Sequence, residues 1–533
     1  MKKIDNIVIV GGGTAGWITA LNFLQKTDST KITVVCAKEI PVIGVGESTT
    51  GLFNDLINFK RNIEIDEKDF IKNTSSTLKL GILHKDWRII GESFTSPLGD
   101  EFENEIGYPS RSYDYYRIFH VANKLKYEQT ESQFMLNDKM PFLNIPKNDI
   151  YSQVFNDMSG KIDFKLHHVA YHLDAFKVSQ YIKEILLSNP RVTYVEGLVS
   201  SVTKDDTGCI KSVSTNNGQT INGDLWVDCS GFFRVLIEKQ FDNKYIDWKD
   251  NLLTNKAITY PKPRESKDGF KNYTKASAKK YGWQWEIPLQ DRIGRGYAFN
   301  SDMISSEQAK LEIEKDLGEE IEIRQEISFT PGRLEKFWIK NVLSAGLSVG
   351  FLEPLEATSI HMSILHINHF LSHYYCDYMD FNAEPQQDSY NREFADCWDD
   401  LRDFLVLHYM SQRKDTEFWI EASSEKRRSP RLNFLLDMWK TRMPREVDYK
   451  NIFNGNFHYL GNTLWYQILI GMNLLDSEIA KRELTSFNLH DIAQKQYHLR
   501  NQFNQYLLKH SYDNDYFYKH EVDNLEQFYK IYY

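Results

Sequence analysis

The stretch IVIVGGGTAGWITALNFL, Ile7 to Leu24, decides the fold. Its first four residues are aliphatic without a polar break, the pattern of a strand covered on both faces. Gly11, Gly13 and Gly16 follow at GxGxxG spacing around Thr14 and Ala15, and an amphipathic run begins at once. Glycine at these points permits a tight turn, close approach of the backbone to a pyrophosphate, and close packing of helix on strand. The stretch therefore predicts a dinucleotide-binding α/β unit. The second strand is KITVVC, Lys31 to Cys36. Its end normally carries an acid for a ribose hydroxyl, but Cys36 stands there and Glu39 comes three residues later. Either Glu39 reaches back or other groups hold the ribose.

The chain of 533 residues is long enough for several domains or one large enzyme body. With 64 basic and 74 acidic side chains the formal charge is −10, and the two signs are interleaved. No basic stripe for nucleic acid and no polybasic membrane arm stands out. Cys36, Cys209, Cys229, Cys376 and Cys397 lie far apart with no Cys-x-x-Cys pair, which argues for a reducing compartment and against a thiolate zinc site. No segment reads as a signal peptide or a membrane span, so a cytoplasmic protein is expected.

Several later stretches carry chemistry. In PVIGVGESTTG, Pro41 to Gly51, the polar residues Gly46, Glu47, Ser48 and Thr49 suit a loop along a flavin or simply a surface turn. DLWVDCSGFF, Asp224 to Phe233, reads as a buried strand ending in the acid Asp228, placed to reach the middle of a cofactor. The segment before it alternates apolar and polar residues between turn signals, as an inserted antiparallel sheet does. FLEPLEATSI, Phe351 to Ile360, sets Glu356 beside Thr358 and Ser359 just before an apolar helical run. Amides that open a helix suit an anion, although Pro354 ending one element and the Thr/Ser pair capping the next accounts for the same residues. WQWEIP, Trp283 to Pro288, places two tryptophans on one face of a strand. Lys79 falls among Leu78, Leu80, Ile82 and Leu83 at helical spacing, as a snorkelling surface group or as a buried donor. His366, His369 and His373 share a helix face, but without an evident carboxylate partner they read as packing, and no metal is expected.

Taken in order, IVIVGGGTAGW, GVGESTT, Lys79 with Trp87 and Arg88, AYHLDA (Ala170 to Ala175), DCSGF, WQWEIPL, GFLEPLEAT, DFLVLHY (Asp403 to Tyr409) and RKDTEFW (Arg413 to Trp419) resemble the flavin-dependent tryptophan halogenases. The WxWxIP element and the lysine are the specific ones, because ordinary FAD monooxygenases share only the glycine loop. The resemblance implies a Rossmann-like FAD-binding box of the monooxygenase type with an inserted sheet, plus a helical pyramid over the substrate. The box is expected over residues 1–380 and the helical region over 381–533, with about 90–150 joining the latter in one compact body of interleaved segments.

The resemblance also implies the cofactor set, which adds Gly346 and Leu347 to the glycine loop, Glu39, the 46–49 loop and Asp228. FADH2 delivered by a separate flavin reductase, with oxygen and a halide held near Thr358 and Ser359, would yield hypohalous acid. Trp283, Trp285, Ile287 and Pro288 would wall a tunnel toward the substrate. Lys79 would present the halogen, and Glu356 would remove the ring proton. Three departures bear on specificity. Ser359 stands where glycine is usual, which puts chloride preference in doubt and keeps bromide and iodide open. Ser96, Pro97 and Leu98 replace part of an aromatic clamp for free tryptophan, Tyr459 and Leu460 fall where that clamp has its other pair, and Gly455 falls near the position of the acid that binds the amino group. The expected substrate is an indole or a phenol in a more open pocket. An aromatic hydroxylase and an inactive flavin-binding scaffold are the alternatives, and the tail from Ser511 is either a packed end or a contact between copies.

Overall fold

The computed structural model describes residues 1–38, 40, 44, 46–98, 115–126, 130–143, 169–445, 447–448 and 462–524. The chain forms two compact units, each discontinuous in sequence. The first comprises Met1–Ser76, Tyr171–Lys249 and Ser328–Asp399, and the second Thr77–Ala170, Asp250–Ile327 and Asp400–Tyr533. The segments of the two units alternate along the sequence.

The first unit is built on a six-stranded sheet. The aliphatic run Asn6–Val10 lies between Lys31–Cys36 and Leu225–Asp228, parallel to both. Val192–Glu196 extends the sheet on one side. Val342–Ser344 and the antiparallel Trp338–Ile339 extend it on the other. Val8, Val10, Val35, Trp226 and Val342 pack with Ile210, Val213 and Ile221 in one apolar cluster. The last three belong to the antiparallel sheet of Val199–Lys204, Ile210–Thr215 and Thr220–Asn222, the insertion that its alternating pattern predicts. The helix Thr14–Lys26 follows the glycine turn. Glu47–Ser48 pairs with His172 and Leu173 at the start of the 46–50 loop. Desolvation pushes the Glu47 carboxyl up to about 7.

The second unit carries an eight-stranded sheet. Its central strand, Gly282–Pro288, is antiparallel to Tyr273–Ala278 and to Arg292–Phe299. Gly81–Lys85 runs parallel to Tyr273–Ala278 and pairs with Ser93–Pro97. Helices dominate after residue 400, among them Pro430–Trp439, Ser477–Ser486 and His490–His510.

One local expectation is corrected here. Lys79 lies in a strand, Thr77–Lys79, and not on a helix. A short apolar run fits either period, and the next segment, Gly81–Lys85, is also extended. Ser93–Pro97 is likewise a strand.

The tryptophan strand has room because its neighbours are small. Trp283 faces Ala278 and Ala298 across the ladder, and Trp285 faces Ala276 and Gly296. A Cβ on Gly296 would meet the Trp285 ring at 2.0 Å. Gly296→Val is expected to displace that indole and cost about 1–3 kcal/mol, measured by urea unfolding. Glu47 generates a second prediction. A carboxyl raised in the folded state binds its proton more tightly there than in the unfolded chain, so stability falls as pH rises from about 4.5 to about 7. Glu47→Gln is expected to flatten that part of the curve when flavin-free protein is unfolded at a series of pH values.

Candidate functional site

The glycine turn has the form of an anion cradle. Gly11 has φ of 121° and its N–H donates to the Val35 carbonyl at 2.8 Å. A Cβ there would lie 2.1 Å from the Cys229 carbonyl oxygen, so only glycine lets the two chain segments meet. Gly13 is the N-cap of the Thr14–Lys26 helix, with no side-chain cap and no acid in the first turn. A Cβ built on Gly13 would meet nothing within 4 Å. First-turn amides without a cap, beside open space, fit a dinucleotide pyrophosphate. Gly16 packs on Gly11, where a Cβ would come within 2.0 Å of the Gly11 carbonyl oxygen. The Thr14 hydroxyl donates to the Ala175 carbonyl at 3.1 Å, which ties the turn to the helix Ala175–Leu187.

Gly346 and Leu347 lie in a 3-10 turn that meets this helix start, for a Cβ on Gly346 would sit 2.5 Å from the Ala15 Cβ. Asp228 holds the same end of the sheet in a way the sequence reading missed. Its fully buried carboxylate accepts from the Ser230 N–H and hydroxyl, from the N–H groups of Leu236 and Ile237, and from the Ser348 hydroxyl. Asp228 shapes the loop that frames the cradle. Cys36 is half-buried against Gly12, where a Cβ would meet its Sγ at 2.4 Å. Glu39, the other candidate for the ribose, lies outside the described residues, as do Gly455, Tyr459 and Leu460.

In the 46–50 loop, Gly46 is buried and Ser48 pairs with His172. The Thr49 hydroxyl exchanges hydrogen bonds with the backbone of Tyr171, donating to the carbonyl and accepting from the N–H, each at 2.9 Å. Thr49 thus anchors the loop. The Thr50 hydroxyl bonds to His361 Nδ1. Burial holds that imidazole down at about 3, so it is neutral at physiological pH. His361 belongs to the helix Thr358–His373, so one hydrogen bond joins the loop to the segment after Glu356. A histidine two places past the Thr/Ser pair was the available signal.

The 356–359 segment has an unusual backbone. Glu356 (φ 66°, ψ 10°) and Ala357 (φ 55°, ψ 36°) are consecutive non-glycine residues in the left-handed region, and the Thr358–His373 helix starts directly after them. Its N-cap, Ala357, supplies no side-chain cap. The Thr/Ser pair is therefore inside the helix and does not cap it. Ser359 has no positive φ, so a glycine's freedom is not needed there, and its carbonyl accepts from the Ser363 hydroxyl at 2.7 Å.

In the second unit, Lys79 is fully buried, as are Leu78 and Leu80 on the opposite face of its strand. The Thr77 hydroxyl donates to the Pro288 carbonyl at 2.5 Å, fastening the lysine strand to the end of WQWEIP. Trp283 and Trp285 stand on one face with ring centroids 5.8 Å apart, and Ile287 and Pro288 are buried. Trp87 joins them at 6.1 Å from Trp283. The Ser96 hydroxyl bonds to His84 Nε2 at 2.9 Å inside the sheet. His84 also stacks on Phe94 at 4.7 Å. Pro97 faces Gly81, and the Leu98 N–H donates to the Leu80 carbonyl at 2.9 Å.

The expected three-histidine face divides. His366 is buried, with Nδ1 at 3.2 Å from the Tyr390 hydroxyl and Nε2 accepting from Trp398 Nε1 at 3.0 Å. His369 instead meets Glu393.

Comparison with known proteins agrees with this geometry. Residues 6–484 match the tryptophan halogenase family. The tryptophan 6-halogenase ThaL of Streptomyces albogriseolus is 30% identical over 494 residues, covering 89% of this chain and 90% of its own. The tryptophan 7-halogenase RebH of Lentzea aerocolonigenes is 30% identical over 491 residues, covering 89% and 90%. The solved structure of Xcc4156, a flavin-dependent halogenase from Xanthomonas campestris, superposes with a TM-score of 0.81 at 25% identity, covering 97% of this chain and 98% of that one. A glycine cradle fit for a dinucleotide, the paired tryptophans with their buried lysine, and matches along nearly the whole length lead to one conclusion: the chain belongs to the tryptophan halogenase family and is a flavin-dependent halogenase.

Proposed function

We propose that this enzyme oxidises a halide and places it on an electron-rich indole or phenol other than free tryptophan. The observation that carries the reading is the buried Lys79, fastened through Thr77 to the double-tryptophan strand. A hydroxylating flavoenzyme has no use for an ammonium in that position. Bound reduced FAD, with oxygen, supplies the oxidising equivalent that converts halide to hypohalous acid. The amides of Gly13, Thr14, Ala15 and Gly16 hold the pyrophosphate, with Gly346 and Leu347 beside them and the Gly46, Glu47, Ser48 and Thr49 loop along the ring system.

The opening amides of the Thr358–His373 helix hold the halide at Thr358 and Ser359. Trp283, Trp285, Ile287 and Pro288 wall the oxidant from water. The Lys79 ammonium donates a hydrogen bond to the oxygen of the hypohalous acid, which makes the halogen more electrophilic. The Glu356 carboxylate stabilises the cationic ring and takes its proton. Ser359 in place of glycine reshapes the halide pocket and keeps bromide and iodide open beside chloride; both are also easier to oxidise. Ser96 and Leu98, tied into a sheet, supply no aromatic clamp for free tryptophan.

A separate flavin reductase supplies the FADH2 by diffusion or transient contact. Among the described residues no helix is long and apolar enough to cross a membrane, and a cytoplasmic setting fits a diffusible reduced cofactor. No nucleic-acid partner enters the reading.

The test supplies reduced FAD, oxygen, equal chloride, bromide and iodide, and a panel of indoles and phenols, with products read by mass. A halogen mass shift is expected that is lost in Lys79→Ala while flavin binding, followed by fluorescence, persists. Oxygen insertion without halogen, unchanged in that variant, would make the enzyme a hydroxylase. Glu356→Gln is expected to slow single-turnover halogenation by about 10²-fold with the same halide preference.

A further inference from the structure

We propose that His369, His373 and Glu393 form a site for one divalent transition-metal ion of the zinc class. The two histidines lie one turn apart at the end of the Thr358–His373 helix, with ring centroids 4.5 Å apart. The helix Glu384–His408 brings the carboxylate that the sequence did not display beside them, with Glu393 Oε2 at 2.5 Å from His369 Nε2. Two imidazoles at i and i+4 and one carboxylate are a usual three-ligand set for a tetrahedral ion, with water as the fourth ligand.

The surroundings are those of a held ligand. The second carboxylate oxygen, Oε1 of Glu393, accepts from the Tyr374 hydroxyl at 2.8 Å and from the Ser389 hydroxyl at 3.0 Å, which fixes the plane of the carboxylate. His369 packs edge-on to Phe394 at 5.3 Å. An ion entering between His369 and Glu393 widens their contact from 2.5 Å to roughly 3.3 Å, the span of two ligands on a tetrahedral ion. His373 is exposed and completes the set by a change of rotamer.

The donor set selects the metal. Nitrogen ligands favour Zn²⁺, Ni²⁺ or Cu²⁺ over Mg²⁺ and Ca²⁺, which take all-oxygen sites. A bound ion pins the last turn of the helix that begins at Thr358 to its neighbour. The site lies outside the proposed catalytic residues, so the inference does not depend on the halogenation reading.

The experiment titrates chelator-treated full-length protein with ZnCl₂ by calorimetry, beside His373→Ala and Glu393→Gln, with MgCl₂ as control. Wild type is expected to bind one equivalent more than His373→Ala, Glu393→Gln to bind that equivalent at least about tenfold more weakly, and Mg²⁺ to give no heat. Zinc is also expected to raise the melting temperature of wild type more than that of His373→Ala, a surface change that leaves the core intact. No zinc binding, or the same stoichiometry and affinity in wild type and His373→Ala, overturns the proposal.

Discussion

The first unit depends on one buried carboxylate. Asp228 ends the central strand Leu225–Asp228 with no solvent exposure, where an unpaired charge would cost several kcal/mol. Donors from Ser230, Leu236, Ile237 and Ser348 compensate it, and each belongs to a segment that must be placed for a cofactor to bind. The acid is thus an organiser: it orients the loop after the strand and the turn that carries Gly346 and Leu347.

The second unit meets a different constraint, that of volume. Two indoles side by side on one strand need empty space on both flanking strands, and Ala276, Ala278, Gly296 and Ala298 provide it. The result is a pair of indoles tilted 54° to each other and held by close packing. The buried Lys79 strand, tied to Pro288, shares its rigidity. A group meant to direct a reactive oxidant benefits from such rigidity, since a misplacement of about 1 Å is enough to lose rate.

Between these solutions stands the backbone at Glu356 and Ala357. Left-handed geometry costs a non-glycine residue roughly 1–2 kcal/mol, and here two adjacent residues adopt it. Strain of this kind persists only where the surrounding structure holds it, and it concentrates at functional sites. The helix that follows, Thr358–His373, opens without a side-chain cap on its first amides.

The features legible in the sequence were those with a local physical cause. The strand and GxGxxG turn announced the cradle because each glycine answers a steric demand within a few residues. The inserted sheet showed in its alternation, and the shared face of Trp283 and Trp285 followed from strand geometry alone. What only the tertiary structure decided were matters of distant partners. Lys79 looked helical because a short apolar run has no period of its own, and its strand is settled by bonds to segments some two hundred residues away, such as Thr77 to Pro288. The Asp228 carboxylate, the Ser96 hydroxyl and His369 have partners, Ser348, His84 and Glu393, that come from other elements and that no local pattern displays. A sequence displays which donors and acceptors exist, but their pairing depends on which surfaces are brought within hydrogen-bond reach, and folding alone sets that.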